Sequence, residues 1–437
     1  MNYYSTNHLA PDASLEEAVI RGLAPDRGLY MPGTIARLPQ AFFHALPTQS
    51  LQTIACRVAD AFFGEDIPAG TLHELVNDTL NFPIPLVPVT DRIYSLELFH
   101  GPTLAFKDVG ARFMARLLGY FIRKKELHRE VNVLVATSGD TGSAVANGFL
   151  GVEGIRVCVL YPKGKVSAIQ ESQFATLGQN ITALEVDGTF DDCQALVKSA
   201  FMDRELNDRL FLTSANSINV ARFLPQAFYY FWAYAQLLQQ HPQGAHELVI
   251  CVPSGNFGNL TAGLIARRMG LPVKRFIAAN NRNDVFYQYL QTGVYTPHPS
   301  IETLANAMDV GDPSNFARIL DLYGHSHAAI CADISGATYT DDAIAHTLHH
   351  TYATHHYLLD PHGACGFQAL SDQLTHGQTG IFLETAHPAK FKATIDQTLG
   401  DAVLEIPDRL QAFMRGTKQS LPVSKRFEEF KEWLMER

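Results

Sequence analysis

Lys107 follows the apolar run Leu104-Ala105-Phe106 and, with Asp108 next to it, stands directly before the helical spacing of Val109, Phe113, Met114, Leu117 and Phe121. Partial burial and the positive end of that helix both disfavour the ammonium form, so an amine here could attack a carbonyl and form an imine. A surface lysine at a helix start is the competing reading, because Lys is usually exposed. Two glycine-rich turns offer a second kind of chemistry. Residues 253–261, PSGNFGNLT, follow an apolar run and open a helical pattern, and their small side chains let successive backbone N–H groups converge on one anion. Residues 136–143, ATSGDTGS, repeat the arrangement. Two such cradles suggest two anionic groups, and a pair of tight strand-to-helix connections is the structural alternative.

The elements that must position these residues follow from periodicity. Residues 131–135 are predicted as a strand, 143–150 as a helix and 156–161 as the next strand, which makes a βαβ unit. Residues 181–186 add a strand and 190–201 a helix. The pattern strand, helix, strand recurs over 248–252, 260–269 and 274–278, with Gly270 and Pro272 as the helix stop. Continuous apolar strands flanked by helices imply parallel sheets covered on both faces, with ligands at the carboxyl ends of strands, where both turns lie. Residues 15–80 carry helical spacing, as in Leu51, Ile54, Ala55, Val58 and Phe62, and predict an N-terminal helical subdomain. Pro83-Ile84-Pro85-Leu86-Val87-Pro88 forces extended backbone at its end. Residues 424–434 read as one amphipathic helix, and the aromatic run 228–234 as a packed core helix.

A chain of 437 residues predicts two or three packed domains. Its net charge of −10 disfavours nucleic acid or an anionic membrane surface as partner, and leaves an anionic small substrate open to a few local cations. Cys56, Cys158, Cys193, Cys251, Cys331 and Cys365 form no C-x-x-C pair and read as reduced core thiols. No basic segment followed by an apolar one opens the sequence, and no stretch is apolar for long enough to span a bilayer, so a cytoplasmic soluble protein is expected. His346, His349 and His350 share helical spacing, but no carboxylate or thiol pair completes a metal motif, and no metal site is expected.

The stretches FHGPTLAFKD (99–108), ATSGDTGSA (136–144), NSIN (216–219), PSGNFGN (253–259) and ETAHPAKF (384–391) resemble those of bacterial and fungal threonine synthases, within the fold type II pyridoxal-phosphate enzymes. GLAPDRGLYMP (22–32) and the basic-acidic C-terminal helix are similar too, so the likeness runs in order over nearly the whole chain. It implies an α/β fold of two open, mostly parallel domains of the tryptophan synthase β-like kind, with an N-terminal helical subdomain. Residues 1–88 would be that subdomain, 89–110 and 220–437 the larger cofactor-binding domain with the C-terminal helix, and 111–219 the smaller domain.

The resemblance further implies pyridoxal 5'-phosphate as cofactor and Lys107 as the catalytic Schiff-base lysine. Gly255, Asn256, Phe257, Gly258 and Asn259 would surround the cofactor phosphate. Thr385 would face the pyridine nitrogen, and Asp140 would lie near the ring, where many relatives carry Asn. Thr103, Ser138, Gly139, Thr141, Asn219 and Arg222 would meet the substrate, with Arg222 as the clamp on its phosphate because a planar guanidinium bonds two oxygens at once. Lys163 and Lys165 are further cations of that kind. The implied reaction is conversion of O-phospho-L-homoserine and water to L-threonine and phosphate; serine or threonine dehydratase chemistry is the alternative. A small-molecule substrate and a monomer, or at most a weakly associated homodimer, are expected.

Overall fold

In the computed structural model, which describes residues 1–125, 129–241, 247–401 and 403–436, fourteen strands form three sheets. β1 (Asn2–Ser5), β2 (Ala13–Ser14) and β3 (Tyr30–Pro32) make a small antiparallel sheet in the order β2-β1-β3. β4 (Leu86–Pro88) and β5 (Ile93–Glu97) pair antiparallel and open the second sheet. The third sheet begins with β6 (Val131–Ala136), β7 (Ile155–Pro162), β8 (Ile181–Asp187) and β9 (Phe211–Ser214). β10 (Glu247–Pro253), β11 (Arg275–Asn280), β12 (Ile334–Thr338) and β13 (Gln378–Glu384) return to the second sheet, and β14 (Leu421–Ser424) goes back to the third. The orders are β12-β11-β10-β13-β5-β4 and β14-β8-β7-β6-β9, parallel throughout except for β4 on β5.

Every residue of β6 and β13 is buried, and every residue of β10 but the first, which is the condition under which strands read as unbroken apolar runs. The predicted βαβ units are present with ends moved by a few residues, since capping and not periodicity sets the last turn. The helix predicted from residue 143 starts at Asp140, for example, because Gly139 at φ 142° turns the chain directly out of the strand.

The helix Lys107–Lys124 links the layers. Twelve of its residues are buried, and the Phe113 ring lies between Phe63 of the N-terminal helix Leu51–Phe63 (5.1 Å) and Phe228 of the helix Ala227–Gln240 (5.9 Å). Removing such a ring forfeits both transfer free energy and packing.

Three features depart from the sequence expectation. The N-terminal region carries β1 to β3 as well as helices; β1 holds only two apolar residues and is stabilised by pairing across a long loop, which periodicity does not register. The C-terminal segment joins the smaller parallel sheet, not the larger: β14 pairs with β8, and Phe430 and Leu434 of the helix Phe427–Met435 sink among Leu184, Val186, Leu196 and Val197. An apolar stripe predicts that a helix will be covered without saying by what. Cys331 is exposed, with its Sγ 3.3 Å from His327 Nε2, whereas the other five thiols are buried. Among the described residues no helix is long and apolar enough to cross a membrane, and no group of His, Cys, Asp or Glu is arranged to hold a metal.

Candidate active site

Strand ends and helix starts from both parallel sheets meet at one cavity, lined among others by Lys107, Ser138, Asp140, Thr141, Arg222, residues 254–259, His362 and Thr385. Lys107 is the first residue of its helix. The loop before it is pinned to the end of β13: Phe106 N–H donates to the Thr385 carbonyl (2.9 Å) and His387 N–H to the Leu104 carbonyl (3.0 Å). Leu104 sits at φ 58°, a strained value for a non-glycine residue, and these bonds hold it there. Loss of solvent around the Lys107 amine, together with the nearby Arg222 cation, lowers its pKa from 10.5 to about 8 against the opposing pull of Asp140. The Arg222 cation acts in addition to the positive helix end at which Lys107 sits.

The turn after β10 has the features of an anion cradle. Phe257 adopts the left-handed conformation (φ 61°) and caps the helix Gly258–Arg268. Gly255 is pressed against the following loop, where a Cβ would lie 2.7 Å from the Ala307 carbonyl oxygen and 2.9 Å from Met308 Cα. Among the described residues, the backbone N–H groups of 255–259 find no acceptor in the protein. Asn259 accepts from the Tyr229 hydroxyl (2.6 Å) and the Tyr230 hydroxyl (2.8 Å) at Oδ1, and its buried Nδ2 has no partner. Five free donors at a helix N-terminus beside an orphaned amide leave a need that an anion would meet.

The 136–143 turn is less free. Thr137 Oγ1 already accepts from the N–H groups of Gly139 (2.9 Å) and Gly142 (2.8 Å). Gly139 therefore does not line the cavity; it is there because a Cβ would lie 2.5 Å from Gln170 Cδ. Asp140 faces the cavity and is paired behind it with Lys390 Nζ (2.6 Å), which itself has 0% exposure, and with Gln170 Nε2 (2.9 Å). Burial works against the Asp140 carboxylate, but the Lys390 cation wins and holds its pKa below the ordinary 3.8.

Two expected substrate contacts lie elsewhere. Thr103 is fully buried, donates to Asp108 through both Oγ1 (2.8 Å) and N–H (2.9 Å), and accepts from Lys390 at its carbonyl (2.9 Å), so it braces the loop before Lys107. Asn219 caps the helix Val220–Phe223 and donates its amide to the Val19 (2.9 Å) and Ser214 (3.2 Å) carbonyls. Neither lines the cavity: the Thr103 hydroxyl is taken up by the Asp108 carboxylate and the Asn219 amide by backbone carbonyls. Arg222 does line it. Its buried guanidinium donates from Nε to the Ala215 carbonyl (2.7 Å) and from Nη1 to the Lys107 carbonyl (3.1 Å), with no carboxylate paired to it among the described residues. Lys163 is exposed and away from the cavity, and Lys165 lines an adjoining cleft with Ser138 and Lys390.

Comparison with known proteins gives this arrangement a context. The sequence profile described as "Pyridoxal-phosphate dependent enzyme" matches residues 83–381, flanked by "Threonine synthase N terminus" over 2–80 and "Threonine synthase, C-terminal" over 363–433. The threonine synthase of Serratia marcescens is 44% identical over 437 residues, covering 100% of this chain and 99% of that protein. The chain belongs to the threonine synthase family. Among solved structures, Escherichia coli threonine synthase superposes with a TM-score of 0.94 at 41% identity, each chain covered to 100%. PLP-bound threonine synthase from Brucella melitensis does so with a TM-score of 0.91 at 33% identity, covering 100% of this chain and 99% of that one.

As a threonine synthase family member the chain is a pyridoxal-phosphate-dependent lyase. The residues present fit that cofactor: the free donors of 255–259 suit its phosphate and the depressed pKa of Lys107 suits its aldehyde. Sequence reasoning missed His362 as a lining residue. It is 2% exposed, its Nδ1 lies 2.5 Å from Asp360 Oδ1, and its Nε2 accepts from Ala307 N–H (3.2 Å), which fixes the loop that covers Gly255. The only local signal was Asp360-Pro361-His362 at a helix start, with Asp360 as the cap. The role of Lys390 was missed as well, although the residue lies within ETAHPAKF (384–391).

Proposed function

We propose that the chain converts O-phospho-L-homoserine and water into L-threonine and phosphate, with Lys107 as the catalytic lysine. What carries this reading is that the Lys107 amine, the free N–H groups of 255–259 and the uncompensated Arg222 guanidinium all border one cavity. Pyridoxal phosphate, when bound, supplies an aldehyde for amines and a conjugated ring that takes up electron density from adjacent carbons.

Gly255 to Asn259 would hold its phosphate, Thr385 would meet the pyridine nitrogen through a hydroxyl, and Asp140 would lie beside the ring. A hydroxyl donates or accepts without fixing a proton on the ring nitrogen. Lys390 offsets the charge of Asp140, so the pair brings no net negative charge to the ring. Lys107 takes a proton from the substrate Cα and returns one there. A pKa near 8 leaves part of the amine neutral at pH 7 and keeps the ammonium form accessible, which both half-steps need. Arg222 retains Nη2 and one Nη1 hydrogen for phosphate oxygens of the substrate, and the Ser138 and Thr141 hydroxyls serve its anionic groups. Water must add only after phosphate has left, so the cavity mouth has to close over the substrate.

All these groups come from one chain, which supports a monomer as the working unit, and the cytoplasm suits a small-molecule biosynthetic role. The test is incubation of purified protein with O-phosphohomoserine. Inorganic phosphate and threonine are expected in equal amounts, and 2-oxobutyrate in place of threonine would overturn the proposal in favour of dehydratase chemistry.

A further inference from the structure

Arg318 lies outside the cavity, on the short helix Phe316–Leu322, and is 0% exposed. Its guanidinium donates to the carbonyls of Tyr30 (3.0 Å), Ser217 (2.7 Å) and Ile218 (2.6 Å) and to Asn315 Oδ1 (2.6 Å), and it lies 3.9 Å from the centre of the Phe223 ring. Burial lowers its pKa to about 9, which still leaves it charged at neutral pH. Among the described residues no carboxylate pairs with it. A buried cation held by dipoles alone gains from any anion bound nearby.

The residues it grips form the outer wall of the cradle. Asn315 Nδ2 donates to the Asn256 carbonyl (2.8 Å) and to Ser217 Oγ (2.9 Å), and Asn256 Nδ2 donates to the same Ser217 hydroxyl (3.1 Å). A Cβ on Gly258 would lie 2.9 Å from Ser217 Cβ. Any shift of Ser217 or Asn315 would therefore move Asn256 and Gly258, two of the five residues whose N–H groups are free.

We infer that Arg318 is a positioning residue for the cofactor phosphate: it fixes Ser217 and Asn315, which hold the 255–259 donors convergent, and places an uncompensated positive charge behind them. The inference rests on the reading of that turn as the phosphate cradle. Its bond to the Tyr30 carbonyl on β3 extends the same grip to the N-terminal sheet, so seating of that sheet and binding of the phosphate draw on one guanidinium.

The test compares pyridoxal phosphate with pyridoxal, which has the aldehyde but no phosphate. Full-length protein is stripped of cofactor and titrated with each, following the visible band, for wild type, Asn315→Ala, Arg318→Lys and Arg318→Met. Affinity for pyridoxal phosphate should fall about ten-fold in Asn315→Ala and roughly a hundred-fold in Arg318→Met, the scale of one or two lost hydrogen bonds to charged groups. Pyridoxal affinity should stay within about two-fold in both, by the same reasoning. Arg318→Lys keeps the charge but cannot span the carbonyls, and should fall between. An equal fall for both compounds, or no fall for pyridoxal phosphate, would overturn the inference. If Arg318→Met does not fold, Asn315→Ala decides by the same criterion. A wild-type protein binding both compounds equally tightly would instead remove the cradle reading itself.

Discussion

Asp140 and Lys390 meet at 2.6 Å with both side chains withdrawn from solvent, next to the position expected for a cofactor ring. Breaking such a pair leaves a bare buried charge, so Lys390→Met should destabilise the protein by about 3–5 kcal/mol, whereas Asp140→Asn with Lys390→Met should lose much less. Urea midpoints of the single and double variants check this, and equal losses would refute it. Because the folded pKa of Asp140 lies below the ordinary 3.8, its contribution is present above that pH and is lost as pH falls through the depressed value. For Lys107 the sign is the same, because its folded pKa is depressed too, but the window lies at alkaline pH. Between about 8 and 10.5 the unfolded chain keeps a proton that the folded chain has lost, so stability gains from this residue as pH rises through that window. Acylation of Lys107 in cofactor-free protein should show a midpoint near 8, and Arg222→Met should move that midpoint upward, because Arg222 contributes to the depression. A midpoint unmoved by that substitution would contradict the stated cause. Lys107 and the 255–259 turn were legible in the sequence because the signal of each is local. Lys390, Arg318 and His362 were not, since each acts through a partner that only the fold brings near.

At the scale of elements, the helix Lys107–Lys124 sets the Lys107 amine, and its position depends on Phe113 packed between Phe63 and Phe228. Phe113→Ala should cost about 3–5 kcal/mol. Cofactor affinity should fall along with it, since the helix start can then shift. Denaturant unfolding and cofactor titration check both, and a loss below about 1 kcal/mol would mean that the packing described is not what holds the helix. The parallel strands were readable because burial on both faces leaves an unbroken apolar run. β1 to β3 were not, because short strands paired across a loop carry no period long enough to register.

For the molecule as a whole, the chain crosses between its two parallel sheets several times, and its last strand and helix return to the smaller one. Phe430, fully buried there, ties the C-terminus to β8 and to the helix Phe190–Met202. Phe430→Ala should lower stability by about 3–5 kcal/mol and expose amides of β8 and β14 to hydrogen exchange, while the paired amides of β10 and β13 in the other sheet stay protected. Faster exchange in the larger sheet instead would contradict that assignment. Which sheet receives a terminal helix was illegible in the sequence, as its apolar stripe is the same in either place.

Borohydride reduction followed by peptide mapping reads directly the covalent link between the cofactor and one amine. A single phosphopyridoxyl adduct on the peptide containing Lys107 is expected, together with loss of the visible absorption band. An adduct on Lys390 or any other lysine, with Lys107 unmodified, would contradict it.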